Sequence, residues 1–105
     1  MNIRFEYLYR DGGNFKNWGE VVFFNSHNVS ADIVMSTARN VLIDQAYFVA
    51  NKACVPDLHF REYDEQLDHG WHEAHAFQST DDSPNDPQSR NIEEFIESLR
   101  FASKI

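Results

Sequence analysis

The chain predicts a two-layer α+β domain: an antiparallel four-stranded sheet with two helices on one face, in the order ββαββα. Three observations carry this. Residues 3–9 and 71–77 alternate bulky and polar side chains, the period of a half-buried strand. Residues 31–43 and 92–99 place apolar groups at helical spacing. Asp11-Gly12-Gly13-Asn14 is a strong turn signal between two strand-like runs. The length, 105 residues, fits a single domain over 1–105.

In the first strand Ile3, Phe5, Tyr7 and Tyr9 point one way and Arg4, Glu6, Leu8 and Arg10 the other. The second strand runs to about Phe24, and its register follows from the turn. A two-residue loop would set Glu20 opposite Phe5 on the buried face. Burying an unpaired carboxylate costs several kcal/mol, because it loses its hydration. A three-residue loop, Gly12-Gly13-Asn14, instead pairs Val21 with Phe5, Phe23 with Ile3 and Gly19 with Tyr7, and needs one left-handed residue. Val21-Val22-Phe23-Phe24 is apolar on both faces, so this strand is expected inside the sheet. Ser30 is the expected cap of the first helix, with Asp32 at its positive end. Residues 45–55 are ambiguous: Tyr47-Phe48-Val49 favours a strand, the expectation taken, while Ala46, Ala50, Asn51, Lys52 and Ala53 would tolerate a helix, and Pro56 ends the element either way. The last strand covers 71–77, with Trp71, Glu73, His75 and Phe77 on one side. Residues 79–90, rich in Asp, Ser and Pro, read as an acidic mobile loop. Asn91 and Glu94 form a capping box before the stripe Ile92, Phe95, Ile96, Leu99.

Composition bounds the function. The chain is 42% apolar, contains nine Phe, and is therefore no disordered polypeptide. The single cysteine, Cys54, excludes an internal disulfide and is expected as a small buried apolar group. The start alternates charge with bulk, unlike a signal peptide, and no apolar run nears the ~20 residues of a membrane span. The expected compartment is the cytoplasm. Residues 1–52 balance five Lys/Arg against five Asp/Glu, whereas residues 53–105 carry four against twelve and so hold the entire net charge of −8. Such an acidic half repels a phosphate backbone, which argues against general nucleic-acid binding. It suits a basic protein partner.

The densest titratable cluster is His69-Gly70-Trp71-His72-Glu73-Ala74-His75. His69, His72, Glu73 and His75 are candidate metal ligands for a hydrolase. On a regular strand, however, His72 faces away from Glu73 and His75, and His69 lies about 20 Å from His75. A metal would then have to borrow His59, Asp64 or Asp68. The helical His-Glu-x-x-His pattern is absent. Neither a nucleophile elbow nor a phosphate loop is present, since Gly12-Gly13 lacks a following Lys-Ser/Thr, so no cofactor is expected.

The second cluster surrounds the first hairpin. Tyr9, Arg10, Lys16 and Trp18, with Trp71, offer aromatic faces beside forked and point cationic donors, a chemistry suited to a small anionic or nucleotide-like ligand. The stretch Tyr9-Arg10-Asp11-Gly12-Gly13-Asn14-Phe15-Lys16-Asn17-Trp18-Gly19, with Asp68-His69-Gly70-Trp71-His72-Glu73, resembles a group of small uncharacterised bacterial and phage proteins, up to about residue 79. The resemblance brings no activity; it implies a compact binding protein rather than an enzyme, by analogy with phage counter-defence factors that sequester a nucleotide signal or block a protein. The leading expectation is thus a non-enzymatic binding domain. A protein-interaction module docking on a basic partner and the metal-dependent hydrolase are the alternatives. A second copy of the chain, in a homo-oligomer, is a further candidate partner.

Overall fold

In the computed structural model, which describes residues 1–60 and 70–103, the elements are β1 (Asn2–Arg10), β2 (Lys16–Phe23), α1 (Ala31–Val41), β3 (Tyr47–Phe48), α2 (Ala50–Ala53), β4 (His72–Thr80) and α3 (Ile92–Ala102). One antiparallel sheet has the strand order β2-β1-β4-β3. The α+β class, the four strands and the two longer helices are as the sequence predicts; α2 is an addition, so the order is ββαβαβα.

The first hairpin takes the three-residue loop. Phe5 pairs with Val21, Ile3 with Phe23 and Tyr7 with Gly19. The Asp11 N–H donates to the Phe15 carbonyl at 3.0 Å, and the Asp11 carboxylate accepts the Gly13 and Phe15 N–H groups at 2.9 Å each. Asn14, at φ 67°, is the left-handed residue that closes the loop. At Gly19 a Cβ would sit 3.0 Å from the Leu58 side chain, so only glycine lets that side chain lie against β2.

β2 is an edge strand, not an interior one. Its free edge is met at Val22 by the acidic loop rather than by another strand. Asn85 donates its N–H to the Val22 carbonyl at 3.0 Å and accepts the Val22 N–H on its side chain at 2.8 Å. The segment expected to be mobile is pinned further along. The Asp86 carboxylate accepts the Arg90 main-chain N–H and guanidinium, all at 2.9 Å, while Arg90 also donates to the carbonyls of Ala53 and Cys54. The guanidinium lies over Phe23 and Phe95, 5.4 and 5.2 Å from the ring centres. Burial pushes the Asp86 carboxyl upward, but the Arg90 hydrogen bonds outweigh it and hold the group below the usual carboxylate range.

Ser30 caps α1, accepting the Ile33 N–H at 3.3 Å. The helix stops at Val41, two residues short of the expectation, because Leu42 turns extended and Asp44 and Gln45 are both left-handed. The strand expected over 45–55 shrinks to Tyr47–Phe48 and then winds into α2, whose end at Cys54 has φ 57°. Cys54 is exposed, against the expectation of burial, because that left-handed cap turns its side chain outward. At α3 the capping box holds: the Asn91 N–H donates to Glu94 Oε1 at 3.1 Å. Helices α1 and α3 cover one sheet face, and between them Phe5, Tyr7, Phe23, Val34, Ala38, Phe95 and Leu99 form the core. Phe5 stacks on Tyr7 and Phe77, and Phe23 on Phe95 at 4.1 Å between ring centres. Among the described residues no helix is long and apolar enough to cross a membrane.

Candidate interaction face and a buried histidine cluster

The face of the sheet away from the helices carries the alternate residues of each strand. In register it holds Arg10 beside Lys16, Leu8 between Trp18 and Glu73, and Glu6 between Glu20 and Ala76. Glu6 and Glu20 are therefore like charges set directly across from one another, an arrangement that destabilises a sheet unless something else uses it. Trp18 and Gly19 complete a notch of about 280 Å³ with these two carboxylates. Trp18 is 53% exposed, and Phe15 at the start of the strand is 71% exposed.

The two arginines on this face already have partners. Arg10 donates Nε to Glu73 Oε1 at 2.8 Å and Nη2 to Oε2 at 3.3 Å, and its Nη1 bonds Asn14. The Glu73 hydrogen bond raises the Arg10 pKa further above its already high value. Arg4 lies 3.5 Å from Glu20 and donates to Gln78.

Of the residues singled out around the hairpin, Arg10, Lys16 and Trp18 share this outer face, and Trp71 approaches it, its ring 5.8 Å from that of Tyr47, the cross-strand partner of Glu73. Tyr9 does not join them. It is fully buried on the helix side, where it meets His59 edge-on at 4.4 Å and His72 at 5.2 Å.

A bulge in β4 rearranges the histidine segment. Glu6 pairs with Ala76 but Tyr7 pairs with Ala74, so His75 is an extra residue. One extra residue inverts the side-chain parity beyond it. Phe77 faces the core, yet upstream it is His72 and Ala74, not Glu73, that share its side. The expected grouping of Trp71, Glu73, His75 and Phe77 on one face is thereby overturned. His75 is exposed and stands edge-on to Trp18 at 4.9 Å. His72 is 0% exposed in the core, and Glu73 is committed to Arg10 on the opposite face. The proposed ligand set His72, Glu73 and His75 therefore does not converge. His69, Asp64 and Asp68 lie outside the described residues.

A different cluster forms on the core side. Asp57 Oδ1 accepts the His59 N–H at 2.8 Å and lies 2.7 Å from His59 Nδ1 and 3.6 Å from His72 Nε2. One ligand atom from each of the three residues lies within 4.8 Å of the others. Burial works to raise the Asp57 pKa, but the backbone and ring of His59, with His72, lower it by more. In this arrangement His72 Nε2 accepts the Leu58 N–H at 2.9 Å. Tyr7 donates its hydroxyl to the Pro56 carbonyl at 2.7 Å, and burial together with the Asp57 charge raises its pKa. The cluster thus fastens the Pro56–Phe60 segment to the sheet. The sequence signal for it was Asp57-Leu58-His59 directly after a proline, an Asx-type turn. A separate apolar cleft of about 210 Å³ lies between α1 and α3, lined by Ile33, Val34, Ile92 and Ile96, smaller than the ~300 Å³ at which small-molecule sites begin.

No protein-family model matches the chain, and neither a curated protein nor a solved structure matches it.

Proposed function

We propose that the chain is a non-enzymatic binding module that docks a basic protein partner on the outer face of its sheet, with a Lys or Arg side chain of the partner seated in the notch of Glu6, Glu20 and Trp18. The observation that carries this is the notch itself: two opposed carboxylates beside an exposed indole. A cation there relieves the Glu6–Glu20 repulsion and gains the indole face as well. The net charge of −8 steers such a partner from a distance.

The test is titration of the protein with Lys/Arg-rich peptides, followed by Trp fluorescence. Affinity should fall steeply with added salt, as surface charges are screened beyond ~10 Å at 0.1 M. Trp18→Ala should cost about 2 kcal/mol of binding, roughly thirtyfold in Kd. Binding that ignores salt, or that survives Glu6→Gln with Glu20→Gln unchanged, rejects the reading.

A small anionic or nucleotide-like ligand is the second reading, of the sequestering, counter-defence type. The shared face of Arg10, Lys16, Trp18 and Trp71 favours it. Its weakness is that Arg10 spends its donors on Glu73 and Asn14. Glu73→Gln separates the two readings by sign: it loosens Arg10 and strengthens an anionic ligand, while it removes a carboxylate and weakens a basic partner.

A further inference from the structure

The edge of β2 is divided into two parts. In an antiparallel hairpin alternate residues turn their N–H and C=O toward the partner strand and the others turn them outward. The Asp11–Phe15 bond sets this phase: Phe15, Asn17, Gly19, Val21 and Phe23 point at β1, and Lys16, Trp18, Glu20 and Val22 point away. Asn85 confirms it by meeting both outward groups of Val22. Beyond the strand, the Phe24 N–H and carbonyl bond Arg90 and Ile92. The edge is thus sealed from Val22 onward. At Lys16, Trp18 and Glu20 no hydrogen bond among the described residues reaches the outward backbone groups, and all three residues are exposed.

We infer that the occupant of this open edge is the same edge of a second copy, paired antiparallel about a two-fold axis through Trp18. Five residues, Lys16 to Glu20, separate the turn from the seal, and Trp18 is their centre. That axis sets Trp18 opposite Trp18 of the copy and Lys16 opposite Glu20 of the copy, twice. The result is one aromatic pair, two ion pairs and about six backbone hydrogen bonds in an eight-stranded sheet. The neighbouring registers lose this match. An axis at Asn17 sets Lys16 opposite Trp18, and an axis at Gly19 sets Trp18 opposite Glu20, with no ion pair in either. The charge pattern is self-complementary at one register only, which is what an isologous interface requires. An exposed edge of this kind pairs readily unless something blunts it, and here the blunting residue, Asn85, reaches only Val22. The inference shares Trp18 and Glu20 with the docking of a basic partner but is separable from it, since the strand edge and Lys16 serve only the dimer and Glu6 only the docking.

Sedimentation equilibrium of the full chain, from about 1 μM to 1 mM (a range that brackets weak association), reads the result directly. Wild type should move from monomer to dimer across that range. Lys16→Glu places two like-charge pairs across the axis and should weaken the dimer roughly tenfold or more. Adding Glu20→Lys to Lys16→Glu restores the match with the signs reversed and should bring the dimer back. Trp18→Pro removes the central outward N–H without touching a bond to β1 and should abolish the dimer, the fold being checked by circular dichroism. Should Trp18→Pro fail to fold, the charge reversal and its rescue still decide. A monomer at every concentration, or a dimer indifferent to Lys16→Glu, overturns the inference. A wild type that stays monomeric at every concentration yet binds basic peptides would reject this interface alone, and a wild type that dimerises as described yet binds no basic peptide would reject the docking reading alone.

Discussion

The two faces of the sheet solve the same problem differently. On the helix side the large side chains meet one another: Phe5, Tyr7, Phe23, Phe77 and Phe95 interlock, and the buried ion pair Asp86–Arg90 is held by several hydrogen bonds. On the outer side Glu6 faces Glu20, and Trp18 stands half in solvent. The outer arrangement keeps an exposed ring and two opposed carboxylates, of which Glu20 has Arg4 at 3.5 Å. Close packing is therefore concentrated on one face and the proposed docking lies on the other, and substitutions should separate them.

The largest effect should come from Arg90→Ala. It strands the Asp86 carboxylate, whose side chain is 0% exposed, and it releases the carbonyls of Ala53 and Cys54. Removing one partner of a buried pair costs about 3–5 kcal/mol, enough to unfold many domains of this size. Chemical denaturation measures it, and a loss under about 1 kcal/mol would show the pair to be far less buried than it is here. Phe95→Ala should fall just behind, at about 3–4 kcal/mol, since its ring packs on both Phe5 and Phe23.

Acid should probe the same pair. The Asp86 carboxyl is held low in the folded state, so its contribution is fully present above the unfolded pKa of about 4 and is lost as pH falls through the lowered folded value. The wild type should therefore lose stability below about pH 4, and Asp86→Asn should lose less over that window, though starting lower. Equal acid slopes for the two proteins would remove Asp86 from the account. Asp57, also held low, adds to the wild-type slope in the same direction and remains in the variant.

How far the sequence could be read follows the same division. The hairpin register was legible because a single buried carboxylate, Glu20, made one loop length far costlier than the other. The capping residues Ser30 and Asn91 were legible because they act locally. The position of β2 was not, because an apolar strand looks alike whether its outer edge is met by a strand or by Asn85, sixty-three residues away. The histidine segment failed for a related reason. Strict alternation assumes no insertion, and one bulged residue at His75 turned His72 inward. Of the residues grouped by their closeness to the hairpin, Arg10, Lys16 and Trp18 share the outer face. Tyr9 does not, as its alternation with Ile3, Phe5 and Tyr7 already implied. The notch of Glu6 and Glu20 was missed, although the register that places them opposite one another was already in hand.

Two smaller effects complete the contrast. Asn85→Ala removes the side-chain and loosens the main-chain bond to Val22, at a cost of about 1 kcal/mol, and lengthens the open edge. It should then increase self-association in sedimentation, the opposite of what a merely destabilising change to a loop predicts. Trp18→Ala should be nearly silent in denaturation, within about 0.5 kcal/mol, because the ring is half exposed. Yet the same substitution should produce one of the largest losses in binding. A Trp18→Ala protein that unfolds easily would place the indole among the supports of the fold, and the separation of the two faces would not survive it.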